Sequence, residues 1–257
     1  MSQYSYLISQ MTWSFSRLRS FEDCPYRFLL TYIYPEEECP QFYAEFGTLI
    51  HQLLADYYSG KVRWELLPSR FISGFYGDMK GRISPEIRRK FFAQGLACMQ
   101  RVQPCPLEIL GVETQTDFEL EGYSFTGFID LLLRKPDGGL VLVDHKSHPL
   151  KPRSKRKKPT RSDEELDSYL RQLYLYSVWV EMVYGKPPDE LVFHCYRTGD
   201  IVREPFRQAA YEAAKRWAVD LIHRIENAED FPPCIDFFSC THLCPVHEAC
   251  VYYEMGG

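Results

Sequence analysis

The most regular hydrophobic pattern lies at the centre of the chain. Residues 126–133 (Thr-Gly-Phe-Ile-Asp-Leu-Leu-Leu) and 140–146 (Leu-Val-Leu-Val-Asp-His-Lys) are apolar or β-branched runs, joined by the turn-forming Lys135-Pro136-Asp137-Gly138-Gly139. This combination predicts two strands in a hairpin. Side chains alternate faces along a strand, so Asp144 and Lys146 share one. With the connection centred near Asp137, Asp130 falls opposite Asp144, give or take one residue.

Elsewhere the apolar spacing is mostly helical. Ser14 opens a helix that Pro25 breaks or restarts, with Leu18, Phe21, Phe28 and Leu29 on its apolar stripe. A second helix covers about 42–59, and residues 61–106 read as mostly helical, with a start at Ser84-Pro85-Glu86. Strands return at 109–113 and 118–120. A long helix is expected over 163–184, opened by a capping box of Ser162 and Glu165. Strands at 190–196 and 201–203 follow, then a helix over 206–227. The expected class is α/β, with a central mixed sheet of four to six strands flanked by helices. After a flexible arm (1–11), one domain (12–257) is expected. It comprises a helical part (12–106), a sheet core (107–205), and a C-terminal helix with a cysteine lobe (206–257).

Composition narrows the setting. At 257 residues and 45% apolar content, a substantial core is available. No run of 18 apolar residues exists, so no membrane partner is expected. Nine cysteines, and a start without a signal-peptide pattern, point to a reducing, cytoplasmic interior where thiols are free, catalytic or metal-bound. The net charge of −5 offers no global argument for nucleic acid, so any such argument must be local.

Three stretches carry candidate chemistry. The first is the hairpin. Two carboxylates about 4 Å apart repel by on the order of 4 kcal/mol at an effective dielectric of about 20, and Lys146 is one charge against two. Oxygen ligands on rigid strands suit Mg²⁺ or Mn²⁺. A buried Asp–Lys ion pair is the competing reading. The second is Lys151-Pro152-Arg153-Ser154-Lys155-Arg156-Lys157-Lys158-Pro159-Thr160-Arg161, with seven basic residues five positions beyond Lys146. A charge run is ordinarily solvated, yet a phosphate polymer at the hairpin would pass close by. The third is the tail, where Cys240, Cys244 and Cys250 need a fourth ligand. Cys234, His242 and His247 are the local candidates and Cys24 the remote one. Taken singly, Cys24 reads as a buried thiol, His51 as a core histidine, and Glu113 as an edge carboxylate or one leaning towards the acidic patch. Gln172 and Tyr176, four apart, share a helix face.

In order, these residues form a series: Cys24-Pro25-x-x-Phe28, Gly47-x-x-x-His51, Gly127-x-x-Asp130, Asp144-x-Lys146, Gln172-x-x-x-Tyr176, then clustered cysteines. The series resembles the RecB-type branch of the PD-(D/E)XK nuclease superfamily. It is similar to the CRISPR spacer-acquisition nucleases, the AddB nuclease domain and the exonuclease V family. The resemblance spans about residues 12–255 and implies a restriction-endonuclease-like sheet. It implies a metal-dependent nuclease acting on DNA, with single-stranded DNA or DNA ends as the expected substrate. Asp130, Asp144, His51 and the backbone carbonyl of His145 would hold Mg²⁺ or Mn²⁺. Lys146 would orient or activate water, and Gln172 and Tyr176 would position the lysine or the strand. Glu113 matches an acidic position beside them. Lys151, Arg153, Lys155, Arg156, Lys157, Lys158 and Arg161 would contact DNA. Cys24, Cys240, Cys244 and Cys250 would bind a [4Fe–4S] cluster. The tail departs from the family spacing, C-x3-C-x5-C in place of C-x2-C-x5-C, which keeps Zn²⁺ open as the alternative. Implied partners are DNA and proteins of CRISPR adaptation, repair or replication. The other readings of the whole chain are a non-cleaving DNA-binding protein of the same fold and, more remotely, a zinc-stapled scaffold unrelated to nucleic acid.

Overall fold

The computed structural model describes residues 4–253. Its centre is a five-stranded mixed sheet: β1 (Glu108–Leu120), β2 (Tyr123–Arg134), β3 (Leu140–Lys146), β4 (Glu190–Cys195) and β5 (Asp200–Pro205). The strands lie in sequence order, and every neighbouring pair is antiparallel except β3 and β4. Parallel neighbours need a crossover, which the chain supplies as one 24-residue helix, Arg161–Tyr184. The α/β class and the expected mixed sheet are both present.

Nine α-helices are described: α1 (Ser5–Ser9), α2 (Phe15–Asp23), α3 (Pro25–Phe28), α4 (Phe42–Tyr58), α5 (Leu67–Gly77), α6 (Pro85–Arg101), α7 (Arg161–Tyr184), α8 (Gln208–Glu226) and α9 (Phe237–His242). Alternation along the strands sorts their side chains. Leu132, Leu140, Leu142, Leu191 and Phe193 pack under α7, around Leu166, Leu170, Leu173 and Tyr176. Leu131, Leu133, Val141, Val143 and Val192 form the opposite face, against Tyr58 and Val112. Helices α4, α5 and α6 share a phenylalanine-rich core of their own, which Tyr196 at the end of β4 joins to the sheet. That core is close-packed: a Cβ at Gly95 would fall 2.3 Å from Phe71.

The sequence-based expectations need three corrections. The expected arm is not free where it is described: Ser5–Ser9 is helical and Ile8 is buried with Phe21, Phe118 and Ile222. Trp13, also buried, pairs with β2, taking a backbone bond from its own N–H to the Ser124 carbonyl (2.7 Å) and accepting one from Thr126 (2.8 Å). Residues 1–3 lie outside the described residues. The two expected strands 109–113 and 118–120 are one continuous strand, kinked by a register shift between Ile109 and Gly111 and by a positive φ of 44° at Glu113. Helix α7 starts earlier than Ser162: Thr160 is its N-cap and Asp163 completes the capping box. Several acids follow Thr160 and Ser162, so the local pattern fits either serine or threonine, and the burial of Leu166 decides the phase.

Candidate active site

Three carboxylates lie on neighbouring strands. The β2–β3 register pairs Leu131 with Val143, so the next position sets Asp130 opposite Asp144. The β1–β2 register runs from Val112↔Leu131 to Thr114↔Ile129, so Glu113 between them faces Asp130. A row Glu113–Asp130–Asp144 thus crosses three strands. Above it, α4 presents His51. The imidazole Nε2 is 2.9 Å from the His145 backbone oxygen, and Nδ1 is 3.5 Å from Asp130 Oδ1 and 3.9 Å from Glu113 Oε1. The His145 backbone N–H donates to Asp130 Oδ2 at 2.6 Å.

On the α7 side, Lys146 Nζ is 2.9 Å from Asp144 Oδ2 and donates to Gln172 Oε1 at 2.8 Å. The Gln172 amide reaches the Tyr176 hydroxyl at 3.4 Å. The ammonium also lies over the rings of Tyr169 and Phe193, 5.4 and 5.9 Å from their centroids. Behind the row, on the opposite face, the buried His145 ring stacks on Tyr58 and meets His194, with the two Nδ1 atoms 3.1 Å apart.

Burial and charge set the protonation states. Burial works against a charged His51, but Asp130, Glu113 and Asp144 outweigh it and push its pKa up to about 10. Asp130 is held below the ordinary carboxylate range: burial opposes this, but His51 and the His145 N–H prevail. Asp144 goes the other way. It is fully buried, and burial raises its pKa to about 6 despite Lys146. His145 and His194 are driven down, chiefly by burial, to about 3 and about 4, so both rings are neutral and one donates to the other.

A divalent cation suits this donor set. His51, Glu113 and Asp130 each offer a ligand atom, all within 4.8 Å of one another. Asp144 Oδ2 is buried yet has no hydrogen-bond partner, because its approach to Lys146 lies outside hydrogen-bond alignment. A buried carboxylate oxygen with an unspent lone pair is costly unless a cation uses it.

The remaining expected site residues fall in two places. Cys24, Cys240, Cys244 and Cys250 line one small, mainly apolar cavity, together with Cys234. The Cys24 sulfur accepts from the backbone N–H groups of Arg27 and Cys234, each at 3.4 Å. In the basic loop, Lys151, Lys155, Arg156, Lys157, Lys158 and Arg161 are exposed. Arg153 differs: its guanidinium is committed to Asp167 (2.5 Å) and Glu204 (2.9 Å), so it ties the loop down. Asp163 does the same, accepting from the backbone and hydroxyl of both Ser154 and Thr160 at 2.6–2.7 Å. Tyr169 and His194 were not among the expected site residues. Tyr169 could have been found, since it lies three positions before Gln172 on the same helix face.

With this geometry in view, comparison with known proteins identifies the class. The chain belongs to the PD-(D/E)XK nuclease superfamily, whose family model matches residues 12–251. Nucleases of this superfamily are hydrolases acting on phosphodiester bonds, and they generally use divalent metal ions. Among solved structures, a candidate exonuclease from Eubacterium rectale has a similar fold, with a TM-score of 0.56 and 14% identity over 96% of this chain and 90% of that one. A second, SSO0001, has 16% identity over 93% and 95% of the two chains and a TM-score of 0.33. No curated protein matches. Among the described residues, no helix is long and apolar enough to cross a membrane.

Proposed function

We propose that this chain is a Mg²⁺- or Mn²⁺-dependent deoxyribonuclease that acts on single-stranded DNA or DNA ends. The observation that carries the reading is the convergence of His51, Glu113 and Asp130, with the His145 carbonyl, beside a lysine held by Asp144 and Gln172. His51, Asp130, Asp144 and the His145 carbonyl would hold the cation, with Glu113 in reach of it. The cation supplies Lewis acidity: it offsets charge on the scissile phosphoryl oxygens and makes water a better nucleophile at neutral pH.

The chain's own residues do the positioning. Lys146 has three N–H donors. One is spent on Gln172 and the charge pairs with Asp144, which leaves N–H groups for the attacking water or a phosphoryl oxygen. Gln172 is held in turn by Tyr176, and the aromatic faces of Tyr169 and Phe193 favour the charged ammonium. The exposed cations of the loop, from Lys151 to Arg161, offer phosphate contacts along the bound strand, with Arg153 anchoring the loop.

The cysteine lobe is read as a [4Fe–4S] site of Cys24, Cys240, Cys244 and Cys250. The two N–H donors to the Cys24 sulfur suit a cluster thiolate.

Digestion of end-labelled single- and double-stranded DNA, with Mg²⁺, with Mn²⁺ and with chelator, tests the activity. The expected result is metal-dependent shortening of single strands or of ends, abolished in Asp144→Ala. Equal cleavage by the wild type and Asp144→Ala would overturn the assignment.

A further inference from the structure

Cys39 belongs to neither the strand site nor the four-cysteine cavity. It lies in the connection between α3 and α4, where its backbone N–H donates to the Pro245 carbonyl at 2.7 Å. This bond seats the connection against the cysteine lobe. Across the contact stand His247 and Glu248, on the short 3₁₀ turn His247–Ala249. One ligand atom each from Cys39, His247 and Glu248 lies within 4.8 Å of the other two.

We propose that Cys39, His247 and Glu248 form a second metal site, selective for Zn²⁺, apart from the nuclease centre and adjoining the four-cysteine cavity, which His247 also lines. Thiolate, imidazole and carboxylate are all zinc donors, and three of them with one open position is an accepted arrangement for that ion. A hard cation such as Mg²⁺ would avoid the sulfur.

The surroundings of His247 support the assignment. Its Nδ1 lies 3.0 Å from the Cys244 carbonyl oxygen, which can only accept, so Nδ1 carries the hydrogen. Nε2 therefore keeps its lone pair. A histidine whose other nitrogen donates to a carbonyl is the usual form of a zinc ligand, with tautomer and ring orientation both fixed. The Tyr253 ring lies against the imidazole. Cys39 is half-buried, and in the metal-free protein burial and the Glu248 carboxylate both keep its proton on. Binding would release that proton to solvent, and Glu248 would turn from a repelling neighbour into a ligand.

The open position faces a cavity lined by Tyr43, Lys80, Arg82 and His242. Exchangeable water can complete the coordination from there. The site would pin the α3–α4 connection to the lobe, over a separation of more than 200 residues in the chain. That is a second tether beside the four cysteines, meeting their cavity at His247.

Co²⁺ titration of the full-length protein, stripped of labile divalent ions under reducing conditions, tests this. Iron is quantified separately. Thiolate-to-cobalt charge transfer reports a Co²⁺–sulfur bond and stays silent for Co²⁺ at the oxygen-rich nuclease centre. The expected result is one charge-transfer site per chain that Zn²⁺ displaces. It should vanish in Cys39→Ser and persist in Asp130→Asn. Glu248→Gln, a conservative surface change, should retain the band with affinity lowered about 10–100-fold. Absence of any charge-transfer band in the wild type would overturn the proposal. So would a band that survives in Cys39→Ser, since the cobalt would then sit on the other cysteines. Unaltered affinity in both Glu248→Gln and His247→Gln would overturn it even if the Cys39 variant failed to fold.

Discussion

The ring of Tyr176 lies against the backbone of Gly127, so close that a Cβ at position 127 would fall 2.5 Å from Tyr176 Cε1 and 3.0 Å from its hydroxyl oxygen. The glycine is there for this approach: its φ is not in the positive range, so no turn requires it. Tyr176 in turn supports Gln172, which holds Lys146.

Gly127→Ala should therefore act on the lysine through two intermediates. Overpacking at a buried contact costs about 1–3 kcal/mol, and a displacement of about 1 Å at a catalytic group costs about a hundredfold in rate. The expected outcome is a modest loss in urea stability and a far larger loss in cleavage rate. Equal DNA affinity in the absence of metal would separate the effect from binding.

Lys146→Met should lower cleavage by about 10²–10⁴-fold, the span of a positioned proton-transfer group, while circular dichroism stays unchanged. It also removes the main charge favouring ionised Asp144. The Asp144 carboxyl, already raised to about 6 by burial, should move higher, and infrared titration of the carboxyl band would show it.

His51 gives the site a pH dependence of known sign. In the metal-free protein its pKa is raised from 6.5 to about 10. Its charge pairing thus contributes stability that is fully present below about 6.5 and is lost as pH rises through about 10. A cation must displace this proton. Between pH 7 and 9, Mn²⁺ binding should release close to one proton per site and tighten with pH, approaching tenfold per unit. Calorimetry in buffers of differing ionisation enthalpy measures the release, and His51→Gln should abolish it.

Asp163→Ala should free the basic loop. Four hydrogen bonds from Ser154 and Thr160 end on that carboxylate, whose pKa they hold far below the ordinary range. Their contribution is present above the unfolded carboxylate pKa and is lost only as pH falls through the lower, folded value. At neutral pH the variant should be cut by trypsin within 153–161 several-fold faster than the wild type, with the rest of the chain protected. Arg153→Ala should do the same, because Asp167 and Glu204 lose their shared partner.

The parts of this molecule that were legible in the sequence are those that local pattern determines. The β2–β3 ribbon is readable because its apolar runs flank turn residues, and its length places Asp130 opposite Asp144. The Gln172–Tyr176 spacing and the phenylalanine stripe of α4 are likewise properties of single elements. What could not be read depends on distant partners. Ile8 and Trp13 lie in a polar-flanked stretch with no period, and their burial comes from β2 and α8. Glu113 faces Asp130 because one register runs unbroken from the Glu121-Gly122 turn to Gly111, through positions 114–117, which the sequence does not mark as strand. Arg153 reads as one more loop cation until Glu204, from another strand, claims it. Cys39 and His247 are separated by most of the chain, so no spacing rule connects them.

Phe231 lies beyond α8, yet its ring stacks against Phe28 and meets Phe21 edge-on, at centroid distances of 6.1 and 5.9 Å. Helices α2 and α3 are thus covered by a residue about 200 positions further along the chain. On the ribosome, α2 and α3 must wait with bare aromatic faces while the whole sheet is synthesised. A nascent chain arrested short of Phe231 would carry its catalytic strands but expose that patch, an invitation to chaperones and to degradation. Closure of the aromatic patch is in this way tied to a segment made after every strand of the candidate site.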